Sequence, residues 1–251
     1  MSAPTILRLT LLGAVALALE AACRLGAISP LVIIPPSEMV RAMGGLLLTE
    51  KVRSDLVFTL TIVATSSVVS IVLGGVIGLA VHAVPPLRRI VDPLLSAYYA
   101  IPNFVFYPLF IVMFGLGAPA LVALAVTLAI GAMVIATIDG LDSVRPILRR
   151  TAKAYRLSPL REIRSIRVPA ALPHLVTGVK LVIAYAFIGE IAGEFILSDQ
   201  GLGHAIAFAY DNFDNREMYG LIALVVLIVT TINGLVRLYE RRQFAARGLL
   251  P

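Results

Sequence analysis

Apolar runs of 18 residues or more recur along this chain, and they leave it few ways to fold. A helix of that length is about what it takes to cross ~30 Å of bilayer hydrocarbon. Lipid offers backbone N–H and C=O groups no water to bond, so a spanning segment satisfies them internally, as a helix. Fifty-nine per cent of the 251 residues are hydrophobic and 14% are charged. Ordinary globular domains run at roughly 45–50% and about 25%. The expected class is an all-α integral membrane protein with about six transmembrane helices.

The spans can be drawn at about 6–25, 56–81, 94–114, 120–138, 172–197 and 219–236. The first, Ile6–Ala22 with Arg8 near its start, could pass for a signal peptide. It lacks a clear small-x-small cleavage site before polar sequence, so it reads as a retained span. The third carries Pro102 and Pro108, which predict a kink or break. Between the first two spans, Pro36-Ser37-Glu38 marks a helix start. Met39, Val40, Met43, Leu46 and Leu47 then follow a helical period, as in a short helix lying at the membrane surface.

Charge orients the spans. Arg8, the pair Arg88 and Arg89, the loop after the fourth span, and Arg237, Arg241, Arg242 and Arg247 are basic. The loop between spans three and four has no cation, and the one between spans five and six sets Arg216 against Asp199, Asp211, Asp214 and Glu217. Basic loops stay in the cytoplasm, so both termini and the even-numbered loops are expected there. Arg41, Lys51 and Arg53 dissent on the outside, offset by Glu38, Glu50 and Asp55. The net charge of +6 lies mostly in such loops, so retention and headgroup contact explain it and nucleic acid is not an expected partner. Residues 1–251 read as a single transmembrane domain with a cytoplasmic loop at about 139–170.

That loop is the second informative feature. From Arg145 to Arg167 it holds eight of the chain's 21 Lys and Arg, with Glu162 as its only acid. On a helix over Leu148–Ser158, Arg149, Arg150, Lys153 and Arg156 form a cationic side, while Leu148, Ala152 and Tyr155 form an apolar one. Ser158-Pro159 marks a break, and a second basic segment runs to Val168-Pro169, where the next span would begin. Membrane retention explains the cations but not a compact helix–turn–helix. A helix that fits a groove on a soluble partner explains both.

The frame of this loop resembles the permease subunits of ATP-binding-cassette (ABC) importers of the binding-protein-dependent type. Their cytoplasmic signature is E-A-A, three residues, G, nine residues, I-x-L-P. Here it reads Arg150-Thr151-Ala152, three residues, Arg156, nine residues, Ile166-Arg167-Val168-Pro169. The spacing matches; the Glu and the Gly do not. Pro169 to Pro173, Thr177-Gly178, Glu194 and Gly201-Leu202-Gly203 add to the likeness. Ile101-Pro102, Pro108-Leu109, Phe114 to Gly117 and Pro36-Ser37-Glu38 are similar to the nitrate/sulfonate/taurine branch.

The resemblance implies a type I importer permease fold with two permease chains, most simply a homodimer, flanking a pathway. It implies a cytoplasmic ABC ATPase dimer that carries ATP and Mg, and an extracytoplasmic solute-binding protein. It implies a bacterial cytoplasmic (inner) membrane location. The loop helix would be the part that seats in the ATPase, with Arg150, Ala152, Tyr155, Arg156, Leu157, Ser158, Ile166 and Pro169 at the contact. Arg156 stands where the family has a glycine that lets the chain turn tightly, and Arg adopts a left-handed backbone less readily. Either the turn differs here, or Arg156 faces the ATPase.

Other polar residues sit inside spans. Glu190 and Glu194 lie one helical turn apart. Intramembrane carboxylates usually face protein or water, so they read as pathway or gate residues, or else as a structural hydrogen bond or an ion pair with Lys180. Tyr98, Tyr99, Asn103 and Tyr107 bring polar tips to the broken third span, which could line a cavity or simply pack as an aromatic belt. Cys23 is alone, and His82, His174 and His204 are scattered, so no metal site is expected. The chain has no G-x-x-x-x-G-K-[S/T], H-E-x-x-H or G-x-S-x-G, so no enzyme activity and no bound cofactor are expected on it. Sulfonates, nitrate and thiamine-precursor pyrimidines are the branch's cargoes, and the carboxylates argue against a bare anion beside them. An ATP-independent secondary transporter and a non-transporting membrane scaffold are the rival readings.

Overall fold

The computed structural model describes residues 3–246, and among them every regular element is a helix. Arg247 lies outside the described residues, as do the side chains of Arg241 and Arg242. In chain order the helices are α1 (Ala3–Arg24), α2 (Pro36–Leu46), α3 (Glu50–Ala83), α4 (Pro85–Ala100), α5 (Tyr107–Phe114) and α6 (Ala118–Asp142). After them come α7 (Pro146–Ala154), α8 (Pro159–Glu162), α9 (Val168–Leu197), α10 (Leu202–Asp211) and α11 (Asn215–Ala246). A 3-10 turn, Asn103–Phe106, precedes α5, and one π-helical turn, Ile163–Arg167, leads into α9.

Among the described residues, four stretches are long and apolar enough to cross a membrane: Glu50–Ala83, Ala118–Asp142, Ile163–Leu197 and Asn215–Leu238. They coincide with the second, fourth, fifth and sixth expected spans. The third is broken, as its prolines require. Ile101 takes an extended backbone (φ −85°, ψ 125°) because the residue before a proline avoids the helical region. Pro108 then falls in the first turn of α5, where its missing N–H matters least. The surface helix predicted after the first span is α2, with Pro36 in its first turn.

The chain divides into two compact units. The first is Met1–Thr59 with Glu194–Thr231. Within it, Glu20 on α1 accepts bonds from the Ser37 N–H (3.0 Å) and Ser37 Oγ (2.7 Å) at the start of α2. Gly220 on α11 lies so close to α2 that a Cβ there would stand 2.9 Å from Ala42 Cβ. Asn215 Nδ2 and Tyr219 Oη donate to the carbonyls of Leu31 (2.6 Å) and Val32 (2.5 Å).

The second unit is Leu60–Gly193 with Ile232–Pro251. Its centre is α6, whose apolar stretch is 61% buried. Lipid tails are as apolar as leucine, so helices here gain from close contact more than from hiding apolar surface. Small residues supply that contact. A Cβ on Gly78 of α3 would stand 2.6 Å from Thr137 Cβ, and one on Gly189 of α9 would stand 3.0 Å from Ala125 Cα. Lys180 on α9 pairs with Glu240 on α11, so it is not the partner of Glu190 or Glu194 that the sequence suggested.

Candidate functional site

The basic loop folds as a helix, a tight turn and a second short helical segment. Helix α7 begins at Pro146 and ends at Ala154, four residues short of the expected Ser158. The cause is Arg156, whose backbone is left-handed at φ 49°. A right-handed helix cannot continue through that angle. The turn is therefore the one a glycine would make, with Arg in its place.

Tyr155 lies just past the helix rather than on its apolar side. It is 77% exposed, and Ile147 and Leu148 are exposed too. Arg150, Arg156 and Ser158 are exposed and Leu157 is half-buried. The side chain of Ala152 lies outside the described residues. The Ser158 carbonyl accepts from the Glu162 N–H at 2.9 Å, which starts α8. Glu162 then holds Arg167 at 2.6 Å, with Ile166 half-buried and Pro169 exposed in the first turn of α9. The surface offered outward is apolar in patches and strongly cationic.

The loop's base is pinned. Asp142, at the end of α6, bonds Arg88 of α4 through one carboxylate oxygen (2.6 Å). Its other oxygen lies 3.1 Å from Nδ1 of His82, near the end of α3. The hydrogen bond to Asp142 raises the Arg88 guanidinium above its ordinary range, against a smaller opposing effect of burial. Gly140 lets α6 touch α9, since a Cβ there would stand 3.2 Å from the Ala171 carbonyl. Just above, α6 and α9 border a cavity of about 310 Å³ lined by Ala136, Asp139, His174, Thr177 and Tyr185 among others. Among the described residues, none of the expected pathway residues lines it.

Glu190 and Glu194 are both fully buried. Glu194 accepts from Thr59 Oγ1 at 2.6 Å and from the Gly203 N–H at 2.8 Å. Thr59 Oγ1 accepts from the Leu202 N–H at 3.0 Å, and Asp55 Oδ1 accepts from the Gly201 N–H at 2.9 Å. Three side chains thus satisfy three of the orphan N–H groups that open α10. Gly201 has φ 99°, and a Cβ on it would run into the Glu194 carboxylate. Glu194 and Gly201-Leu202-Gly203, read separately in the sequence, form one buried structure.

Asp55 and Thr59 were missed by the sequence reading. The signal was their four-residue spacing at the start of an apolar run, which puts both on one helical face. At the broken span, Asn103 is buried and Tyr107 half-buried, while the side chain of Tyr99 lies outside the described residues. Among the described residues no group of His, Cys, Asp and Glu could hold a metal ion.

Comparison with known proteins gives these features a common setting. The family model described as "Binding-protein-dependent transport system inner membrane component" matches residues 70–244. A probable ABC transporter permease protein of Haemophilus influenzae is 30% identical over 57% of this chain and 58% of its own length. The chain therefore spans less than two thirds of that relative. The taurine transport system permease protein TauC of Escherichia coli is 23% identical over 86% of this chain and 80% of its own. A solved structure of the MetNI methionine ABC transporter, in an inward-facing conformation, superposes with a TM-score of 0.68 at 19% identity. It covers 81% of this chain and 100% of that one, which speaks to the fold. The matched stretch holds the broken span, the basic loop with its left-handed turn, Glu194 and the G-L-G motif, and the chain belongs to the family of binding-protein-dependent transport system inner membrane components.

Proposed function

We propose that this chain is the permease subunit of an ATP-driven importer, acting as a single transmembrane domain with six spans and both termini in the cytoplasm. The four long apolar helices supply most of the spans, with α1 as the first and the broken α4–α5 segment as the third. Two such chains flank the pathway as a homodimer in a bacterial inner membrane. A separate cytoplasmic ATPase dimer binds ATP and Mg and hydrolyses the nucleotide, and an extracytoplasmic solute-binding protein delivers the cargo. Family membership favours this reading over a secondary transporter or a scaffold.

The observation that carries it is the loop at 139–170. Ile147, Leu148 and Tyr155 are exposed there among arginines, outside any membrane-length run. Seated in an ATPase groove, the loop would place Arg150, Ala152, Tyr155, Arg156, Leu157 and Ser158 at the contact. Ile166 and Pro169 would carry the movement into α9. Glu190, Tyr99, Asn103 and Tyr107 border the route in this reading, and Glu194 acts at its outer end by holding α10.

Relatives named for taurine, aliphatic sulfonates and nitrate support a small anionic or sulfonate-bearing cargo. The objection that a carboxylate would repel such a cargo loses force for Glu194, whose oxygens are engaged by Thr59 and Gly203. The test is purification from native membranes in mild detergent, followed by reconstitution into vesicles. A cassette ATPase in stoichiometric amount and ATP-dependent solute accumulation are expected. A chain that arrives without an ATPase, or moves solute with no nucleotide, overturns the reading.

A further inference from the structure

The end of α10 carries a side chain that the fold does not need. The Asp214 N–H donates to the Ala209 carbonyl (2.9 Å) and the Phe213 N–H donates to the Tyr210 carbonyl (3.0 Å). These two bonds make a Schellman closure, whose left-handed residue is usually glycine because a Cβ there is strained. Here that residue is Phe213, at φ 57°. The strain gains no packing in return, for Phe213 is 87% exposed.

The segment that presents the ring is well tied. Asn212 Nδ2 donates to the Phe208 carbonyl (2.7 Å), and Asp214 Oδ1 caps α11 by accepting from the Glu217 N–H (2.9 Å). Asn215 Nδ2 donates to the carbonyls of Pro30 (3.2 Å) and Leu31 (2.6 Å). Tyr210 is exposed on the preceding turn. Strained backbone held in place by its surroundings is the kind that marks a working surface.

Charge selects the occupant. Asp211 and Asp214 flank the ring and both are exposed. If Phe213 dipped into lipid, these carboxylates would be drawn to the hydrocarbon boundary and lose water. A protein pocket with a cationic rim takes the ring and pairs the acids at once, and buried aromatics within polar rims are what anchor protein interfaces. We propose that Phe213 is the anchor on which the solute-binding protein seats, its ring entering an apolar pocket edged by Lys or Arg that face Asp211 and Asp214. This rests on the importer reading, which puts the α9–α11 connection outside the membrane.

Photo-crosslinking tests the occupant, with p-benzoylphenylalanine in place of Phe213 in intact cells. A crosslink to a solute-binding protein, mapped to an apolar peptide beside Lys or Arg, is expected. A crosslink to lipid, a crosslink to a second copy of this chain, or no crosslink overturns the proposal.

Phe213→Gly then tests the energetics, because glycine is the residue the backbone prefers and the fold should be kept. In vesicles holding the permease–ATPase complex, the captured binding protein is titrated and ATP hydrolysis followed. Phe213→Gly should raise the half-maximal concentration on the order of tenfold or more, as loss of an interface anchor does. Phe213→Trp should restore most of it. An unchanged half-maximal concentration sinks the anchor while leaving the importer standing, and so does loss of the ATPase from Phe213→Gly, which would mean a structural role. Failure of the importer reading shows elsewhere, as a wild-type chain with no ATPase bound.

Discussion

Arg156 and Gly201 show how a single backbone angle decides local structure in this chain. Both lie at positive φ, 49° and 99°. At Arg156 the side chain points to solvent, and only the backbone strain opposes it. Arg156→Gly should relieve about 1 kcal/mol of strain and weaken ATPase binding only by what the lost contact side chain contributes, whereas Arg156→Val, which loses the same contact and is stiff and β-branched, should weaken it severalfold further. Copurification of the ATPase with each variant decides this, and equal binding by Gly and Val would remove the turn from the account. At Gly201 the angle and the neighbours act together, since φ 99° with ψ 167° is a region that essentially only glycine visits. A Cβ would also displace the Glu194 carboxylate from the N–H of Gly203. Gly201→Ala should cost about 1–3 kcal/mol, read as a lower thermal midpoint in detergent.

Among the helices, the ends and the cross-links are what the sequence hid. Length and apolarity drew α6 and α9 within four residues of their bounds, because a span must satisfy its own backbone whatever surrounds it, whereas α3 starts six residues before its expected span and α11 ends ten residues after it, through charged turns that apolarity does not mark. Pro102 announced the break before α5 for an equally local reason. The end of α7 was not legible, because Leu148 to Ser158 keep a helical period and only the angle at Arg156 stops the helix. Pairings across long stretches were not legible either. Thr59 meets Glu194 across 135 residues, and Lys180 meets Glu240 across 60. The turn in the basic loop stands where the spacing of the motif put it, and the buried cap of α10 was found only in pieces.

The Lys180–Glu240 pair makes a prediction at this scale, for it ties α9 to the last turns of α11. Both side chains are mostly buried, at 29% and 17% exposure. Lys180→Met strands a half-buried carboxylate and should cost about 1–3 kcal/mol. The double variant Lys180→Glu with Glu240→Lys should recover most of that, while Lys180→Met with Glu240→Leu should come near wild type, since an ion pair replaced whole by apolar groups is often neutral. Thermal unfolding of the wild type and the three variants in detergent gives the comparison. A swap as unstable as the single variant would show that the pair is incidental to the packing of α9 on α11.

At the scale of the whole molecule the proposed function requires that a push on the loop reach the spans. The loop begins where α6 ends at Asp142 and closes where α9 begins at Val168. Asp142 grips Arg88 at the start of α4 and meets His82 near the end of α3, while Gly140 brings the end of α6 against Ala171 on α9. Three helix ends therefore meet at one polar cluster, with the start of α9 packed on α6 beside it, and a movement of α7 relative to α9 would have to rearrange it or carry it along. Such a cluster passes energy between sites if it has a parted arrangement besides the joined one, and Asp142 is the group that would switch it. Asp142→Asn keeps the shape and one acceptor but removes the charge that holds Arg88. It should leave the ATPase bound, because Asp142, Arg88 and His82 are not among the proposed contact residues of α7 and its turn. It should lower solute moved per ATP by roughly two- to thirtyfold, the range that a coupling change of about 0.5–2 kcal/mol gives. Paired uptake and hydrolysis measurements on vesicles read that ratio directly. Exchanging the partners, with Arg88→Asp and Asp142→Arg, should raise it again. If Asp142→Asn keeps the wild-type ratio, the cluster only anchors the helices, and the force must travel through Ile166, Pro169 and α9 alone.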